Sequence, residues 1–230
     1  MYHNMFEFSL MDSISSIIII AITIYIFAGV SKKYRNNYFE GLLIYSYHSI
    51  WGIIFMILSQ YYGFSDSSGW FTDSLVKLHY GELPNSIIDF TNYTQNYLMY
   101  VINLSFSLIG LKYLSINLIF NFFSSIGLFF FYMAINNKNI PNFYSLIILV
   151  LLPSFMFWTS GVSKDCLILF PIGILIFYCN KFEKNLPKIF ILIFIILLIR
   201  PYLGFLIYFS LLFFYLINIF LNSKFKISNI

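Results

Sequence analysis

The sequence predicts an all-α fold: a polytopic transmembrane helical bundle of about seven spans with additional juxtamembrane helices. Three observations predict it. Of 230 residues, 60% are hydrophobic and only 10% are charged, whereas a soluble domain carries about 25% charged residues. Several apolar runs approach or reach the roughly 20 residues needed to cross a bilayer. Those runs are continuous, unlike the alternating segments of about 10 residues in a membrane β-barrel.

The elements follow in order. The first apolar run is Ser13–Val30. The segment before it, MYHNMFEFSLMDS, has no basic n-region, and no small-residue cleavage site follows, so the run reads as a retained span and not a signal peptide. The polar break SKKYRNNYFE precedes the second run, Leu42–Tyr62, and a long polar segment, Gly63–Asn96, follows it. Tyr97–Leu111 is apolar but interrupted by Asn103, Ser105 and Ser107. Then come Ile116–Ile135, Phe143–Trp158, Cys166–Tyr178, Ile189–Ile199 and Leu203–Leu221. The last two meet at Arg200-Pro201-Tyr202. No internal repeat divides the chain, which reads as one integral membrane domain over 1–230.

Basic residues accumulate in cytoplasmic loops, while acids have little influence on orientation. With the breaks 31–41, 136–142 and 180–188 and the tail 223–230 inside, nine of the thirteen Lys and Arg residues are cytoplasmic. The N-terminus is then outside. Gly63–Asn96 is also outside, so only one crossing separates it from 136–142. Ile116–Ile135 supplies that crossing, and Tyr97–Leu111 is expected to lie along the surface or re-enter. The net charge of +4 suits an anionic leaflet and is too small to suggest nucleic acid.

Candidate chemistry gathers on the external side in three groups. Asp66 lies just past the second span, in Phe64-Ser65-Asp66-Ser67-Ser68-Gly69-Trp70. A carboxylate there can serve as a general base or hold a divalent cation, magnesium or manganese. The blander reading is a solvated loop acid. Lys164 and Asp165 open the helix after Thr159-Ser160-Gly161-Val162-Ser163, where an acid is also favoured as a simple cap. Arg200, with Pro201 and Tyr202, stands between two very apolar runs. Its guanidinium fork suits a lipid-linked phosphate, or it snorkels to the headgroups. His48 reads as a packed, hydrogen-bonded side chain, and Cys166 and Cys179 as packed thiols. Nucleotide-binding and zinc motifs are missing from the sequence, and no span carries the central charges of a proton pathway.

The order and spacing of these groups resemble the GT-C superfamily of integral membrane glycosyltransferases, in particular those that use polyprenyl-phosphate sugars. There an outward-crossing helix delivers an acid in the first external loop, followed by an aromatic four residues on and a glycine about fifteen on. Asp66, Trp70 and Gly81 meet that spacing. Helices along the membrane come next, matched by Tyr97–Leu111 and Gly110. A Pro-containing external segment with a second Asp follows, matched by Pro153 and Asp165. The likeness covers about residues 42–205, with 63–111 as the external loop and juxtamembrane region. Ser67 stands where many members have a second acid, Ser13–Val30 is an extra span, and the chain reads as a short or truncated member.

The resemblance implies an enzyme that moves a sugar from a polyprenyl-phosphate carrier to an acceptor hydroxyl in surface glycan or glycolipid assembly. Asp66 and Asp165 would be its catalytic acids, and Arg200, Lys164, Trp70 and Tyr202 its substrate-binding residues. A bacterial inner membrane, with the active face extracytoplasmic, is the expected location. Two rivals stand beside this: an O-antigen-type polysaccharide polymerase, and a non-catalytic transporter or assembly subunit. Charges in a central cavity would favour transport, and charges clustered at the external rim favour transfer chemistry.

Overall fold

A computed structural model describes residues 10–33, 38–62, 96–136 and 153–227. Among these the chain forms eight α-helices and no strand: α1 (Leu10–Lys33), α2 (Tyr38–Tyr62), α3 (Asn96–Leu108), α4 (Tyr113–Asn136), α5 (Pro153–Trp158), α6 (Lys164–Cys179), α7 (Phe182–Ile199) and α8 (Pro201–Ile227).

Three of them are long and apolar enough to cross a membrane: Asp12–Val30, Phe39–Ser59 and Tyr113–Ile135. They coincide with three of the predicted runs. The expected seven spans are thus reduced to three within the described residues. The physical reasons differ by segment. Residues 143–152 of the fourth run lie outside the described residues. Helix α6 has 16 residues, about 24 Å. Helix α7 begins earlier than its apolar run, at Phe182, and carries Glu183, Lys184 and Lys188 in its first turns. In α8, whose side chains are described as far as Ile217, the apolar part within that range is Pro201–Ile217. Helix α3 falls in Tyr97–Leu111, which was not among the seven expected spans, and has 13 residues, about 20 Å.

Helix α4 is the centre. Most of its apolar window is buried (72%), against 17% for α1. The N-terminal ends of α1 and α4 lie side by side, where Ser115 donates to Asp12 at 3.0 Å and meets Ser15 and Ser16 at 2.7 and 3.1 Å. Helix α2 runs antiparallel to both, through the cluster of Phe27, Ile44, Tyr45, Phe129 and Tyr132. A second cluster joins α3 to the C-terminal half of α2, the N-terminal half of α4 and the start of α6 through Met56, Met99, Ile116, Phe120 and Cys166. The third joins α6, α7 and α8.

The tightest contact lies between α4 and α6. A Cβ on Gly173 would stand 1.8 Å from the Gly127 carbonyl oxygen, and one on Gly127 would stand 2.2 Å from the Leu169 carbonyl oxygen. Backbones meet there directly, as small residues allow between helices that gain little from apolar burial in lipid. Phe123–Phe170, Phe130–Phe177 and Asn180–Ala134 keep the same parallel register above and below. That register places Asp165 beside Leu118. Asp165 therefore lies about 7 Å inward from the start of α4 at Tyr113, at 1.5 Å per residue.

Candidate functional site

The turn between α5 and α6, Thr159–Ser163, is irregular backbone at the same inward level. Such backbone is tolerated at membrane depth only where protein or a watery cavity supplies its hydrogen bonds. Here the protein supplies them. Asn121 Oδ1 accepts from the Gly161 N–H at 2.9 Å. His48 Nε2 lies 3.0 Å from the Thr159 carbonyl and 2.5 Å from Ser124 Oγ. A carbonyl accepts only, so the hydrogen is assigned to Nε2. Ser124 passes its own hydrogen to the Asn121 carbonyl at 3.2 Å. Ser163 caps α6 by accepting from the Cys166 N–H at 3.0 Å. Gly161 turns the chain at φ +79°, and a Cβ there would strike the Phe55 ring at 2.5 Å.

His48 is thus buried and hydrogen-bonded, and its role is to hold the turn that presents Lys164 and Asp165. Its Nδ1 has no partner, nor do Asn121 Nδ2 and Asn117 Oδ1. Asn121 fits because Gly52 has no side chain: a Cβ on Gly52 would lie 2.0 Å from Asn121 Nδ2. Asn117 Nδ2 donates to the Gly52 carbonyl at 3.0 Å. Sequence reasoning missed this group, yet a signal was there. Asn117, Asn121, Ser124 and Ser125 recur on one face of an otherwise apolar helix. Replacing His48 by leucine is expected to leave the Thr159 carbonyl unsatisfied and cost about 1–3 kcal/mol. Denaturant unfolding of the purified protein, with limited proteolysis at the turn, checks this.

Asp165 sits in the first turn of α6, and Arg200 at the junction of α7 and α8. The tertiary structure joins them: Arg200 Nη2 donates to Asp165 Oδ1 at 2.5 Å. Arg200 Nη1 also donates to the Tyr202 hydroxyl. The pair remains open to its surroundings, with side-chain exposures of 26% for Arg200 and 46% for Asp165. Pro201 is the first residue of α8, a position where its missing N–H costs nothing. Two helix N-termini, those of α6 and α8, therefore point at one spot that already holds Arg200. Their dipoles add positive potential there, opposed by the C-terminal end of α7, which Arg200 caps, and by Asp165. The arrangement is suited to an anion with several oxygens.

No family model, curated protein or solved structure matches this chain. The site must therefore be read from its own chemistry.

Of the expected site residues, Asp165, Arg200 and Tyr202 come together at this junction, and Lys164 precedes Asp165 at the start of α6. Asp66, Trp70 and Gly81 lie outside the described residues. Gly110 does turn the chain between α3 and α4, at φ +85°. Among the described residues no three His, Cys, Asp or Glu side chains gather to hold a metal ion. The Asp165 carboxylate is engaged by Arg200. Between α7 and α8 runs an apolar cleft of about 230 Å³, lined by residues from Phe182 to Ile193 and from Tyr208 to Tyr215.

Proposed function

We propose that this chain is a membrane glycosyltransferase of about seven spans that moves a sugar from a polyprenyl-phosphate carrier to an acceptor hydroxyl. Its active face is extracytoplasmic and its setting a bacterial inner membrane. The observation that carries the reading is the Asp165–Arg200–Tyr202 cluster, set at the meeting of two helix N-termini. Arg200 uses two of its five N–H donors on Asp165 and Tyr202. Of the other three, the Nε–H is buried without a partner, and the second hydrogens on Nη1 and Nη2 are left for a phosphate arriving from the lipid. The α7/α8 cleft begins at Ile193 and Tyr208, about 10 Å along α7 from Arg200, and suits the carrier's hydrocarbon tail.

In the transfer the acceptor oxygen forms a bond to the anomeric carbon as the bond to the carrier phosphate breaks. The electron pair leaves on the phosphate, where Arg200 and the helix dipoles stabilise the developing charge. The acceptor proton goes to Asp66 as general base. Asp165 holds the Arg200 fork in its orientation.

The test is mass-spectrometric profiling of surface glycans and lipid-linked intermediates. Wild type is compared with a deletion strain, complemented by the wild-type, Asp66→Asn or Arg200→Lys gene. The expected result is loss of one sugar on deletion, with its carrier-linked donor accumulating, and rescue by the wild-type gene alone. Unchanged glycans in the Asp66→Asn strain, at normal protein abundance, would sink the reading.

A further inference from the structure

We propose that a water molecule binds in the interior between α2 and α4, among His48, Asn117 and Asn121, and completes the node that holds the α5–α6 turn. The proposal is independent of the transfer chemistry above.

Three side-chain atoms of this node have no partner among the described residues: His48 Nδ1, Asn117 Oδ1 and Asn121 Nδ2. Each of the three residues is fully buried. Their orientations are fixed chemically, because each is pinned at its other end. Gly161 N–H donates to Asn121 Oδ1 at 2.9 Å, so turning that amide over would set two donors against each other. Asn117 Nδ2 donates to the Gly52 carbonyl at 3.0 Å, so turning it over would oppose two acceptors. The Thr159 carbonyl, 3.0 Å from His48 Nε2, requires the hydrogen there, which leaves Nδ1 as an acceptor. The node therefore presents one donor group and two acceptors that the described residues do not satisfy.

These atoms lie close together. Asn117 and Asn121 are one turn apart on α4, and both meet Gly52. His48 is one turn before Gly52 on the same face of α2, level with Ser124. The spread is about one helical turn, 5.4 Å. A molecule making two hydrogen bonds of about 2.7–3.2 Å reaches across it.

The unmet pattern selects the ligand. The hydrogens of the Asn121 amide repel a cation, and the lone pairs on Asn117 Oδ1 and His48 Nδ1 repel an anion. What fits accepts one hydrogen and donates two. Water does this, and a buried water makes about three such bonds. The depth makes satisfaction matter. Asn117 and Asn121 lie about 6 and 12 Å inward from Tyr113 along α4, where lipid offers no hydrogen bonds and an unsatisfied group is costly. With the water bound, His48 and Asn121 are satisfied at both ends while they hold Thr159 and Gly161, and with them the turn that opens α6.

The isotopically labelled full-length chain would be reconstituted in phosphatidylcholine bilayers for magic-angle-spinning NMR. His3→Gln and His79→Gln leave His48 as the sole histidine. The nitrogen shift of Nδ1 separates a bare nitrogen, one that accepts a hydrogen bond and one that carries a proton. The expected result is a hydrogen-bonded, unprotonated Nδ1. Polarisation from water protons is expected to reach Nδ1 and the Asn121 side-chain amide several-fold faster than the backbone of the buried Leu128. Should the histidine background not fold, the Asn121 amide in the wild-type chain gives the same reading. A bare or protonated Nδ1, or transfer from water no faster than to Leu128, would overturn the proposal. So would a hydrogen-bonded Nδ1 without that transfer, since a protein group would then fill the site. None of these readings needs a glycan or touches Arg200, so they fail separately from the transferase reading.

Discussion

Replacing Gly173 by valine is expected to split the bundle at its centre. A Cβ there would lie 1.8 Å from the Gly127 carbonyl oxygen, 2.4 Å from its carbonyl carbon and 2.8 Å from its Cα. All three are backbone atoms, so no rotamer change relieves the overlap. Ordinary overpacking costs about 1–3 kcal/mol. Here α6 must move away from α4 as a body, carrying the α7–α8 pair with it, and the expected loss exceeds about 3 kcal/mol. Gly127→Val is expected to behave alike, because its Cβ would meet Leu169 and Phe170 backbone at 2.2–2.7 Å. Gly29→Ala is the control. Nothing lies within 4 Å of its Cβ position, and an exposed helical glycine replaced by alanine gains about 0.5–1 kcal/mol. Unfolding of the three variants in mixed detergent micelles, followed by far-ultraviolet circular dichroism, gives the comparison. A Gly173→Val protein as stable as wild type would mean that the α4/α6 crossing is looser than described.

The second large effect is expected at Arg200. Arg200→Leu removes both the ion pair with Asp165 and the hydrogen bond to Tyr202, and leaves the proposed phosphate without its fork. Activity is expected to fall about 10²–10³-fold, the scale of losing a donor that meets developing charge. The effect on stability should be much smaller. Asp165 is nearly half exposed, and ion pairs open to water contribute about 0–1 kcal/mol. Arg200→Lys keeps the charge and loses the planar fork, so an intermediate loss of activity is expected. Asp165→Asn leaves an acceptor oxygen for the guanidinium and should be milder than Arg200→Leu. Initial rates with a polyprenyl-phosphate sugar, set beside the unfolding midpoints, separate the roles. If Arg200→Leu lost stability and activity in proportion, Arg200 would be a structural strut and not a phosphate contact.

Much of this arrangement was legible in the sequence. The first two crossing helices and α4 followed from continuous apolar runs, and their ends from clustered polar residues. The start of α6 at Lys164 was legible because Ser163 is a natural cap and an acid follows in the first turn. The interruption at Arg200-Pro201 was legible from proline chemistry. Helix α7 was read too short. Its first turns carry charge and Pro187, which look like a loop to a hydropathy reading. The stripe of Asn117, Asn121, Ser124 and Ser125 was visible but went unread, since an apolar run long enough to span gives no reason to look for polar partners within it.

Composition and apolar periodicity thus determined the all-helical class, three membrane-crossing lengths and the short α3, because those depend on the free energy of each segment in its solvent. The pairing of Asp165 with Arg200, 35 residues apart, was decided only by tertiary structure. So was the work of His48 and Asn121, which hold the α5–α6 turn from two other helices. Both depend on register between α4 and α6, and that register is set by two glycines whose backbones touch. Nothing local in either helix states which glycine will meet which.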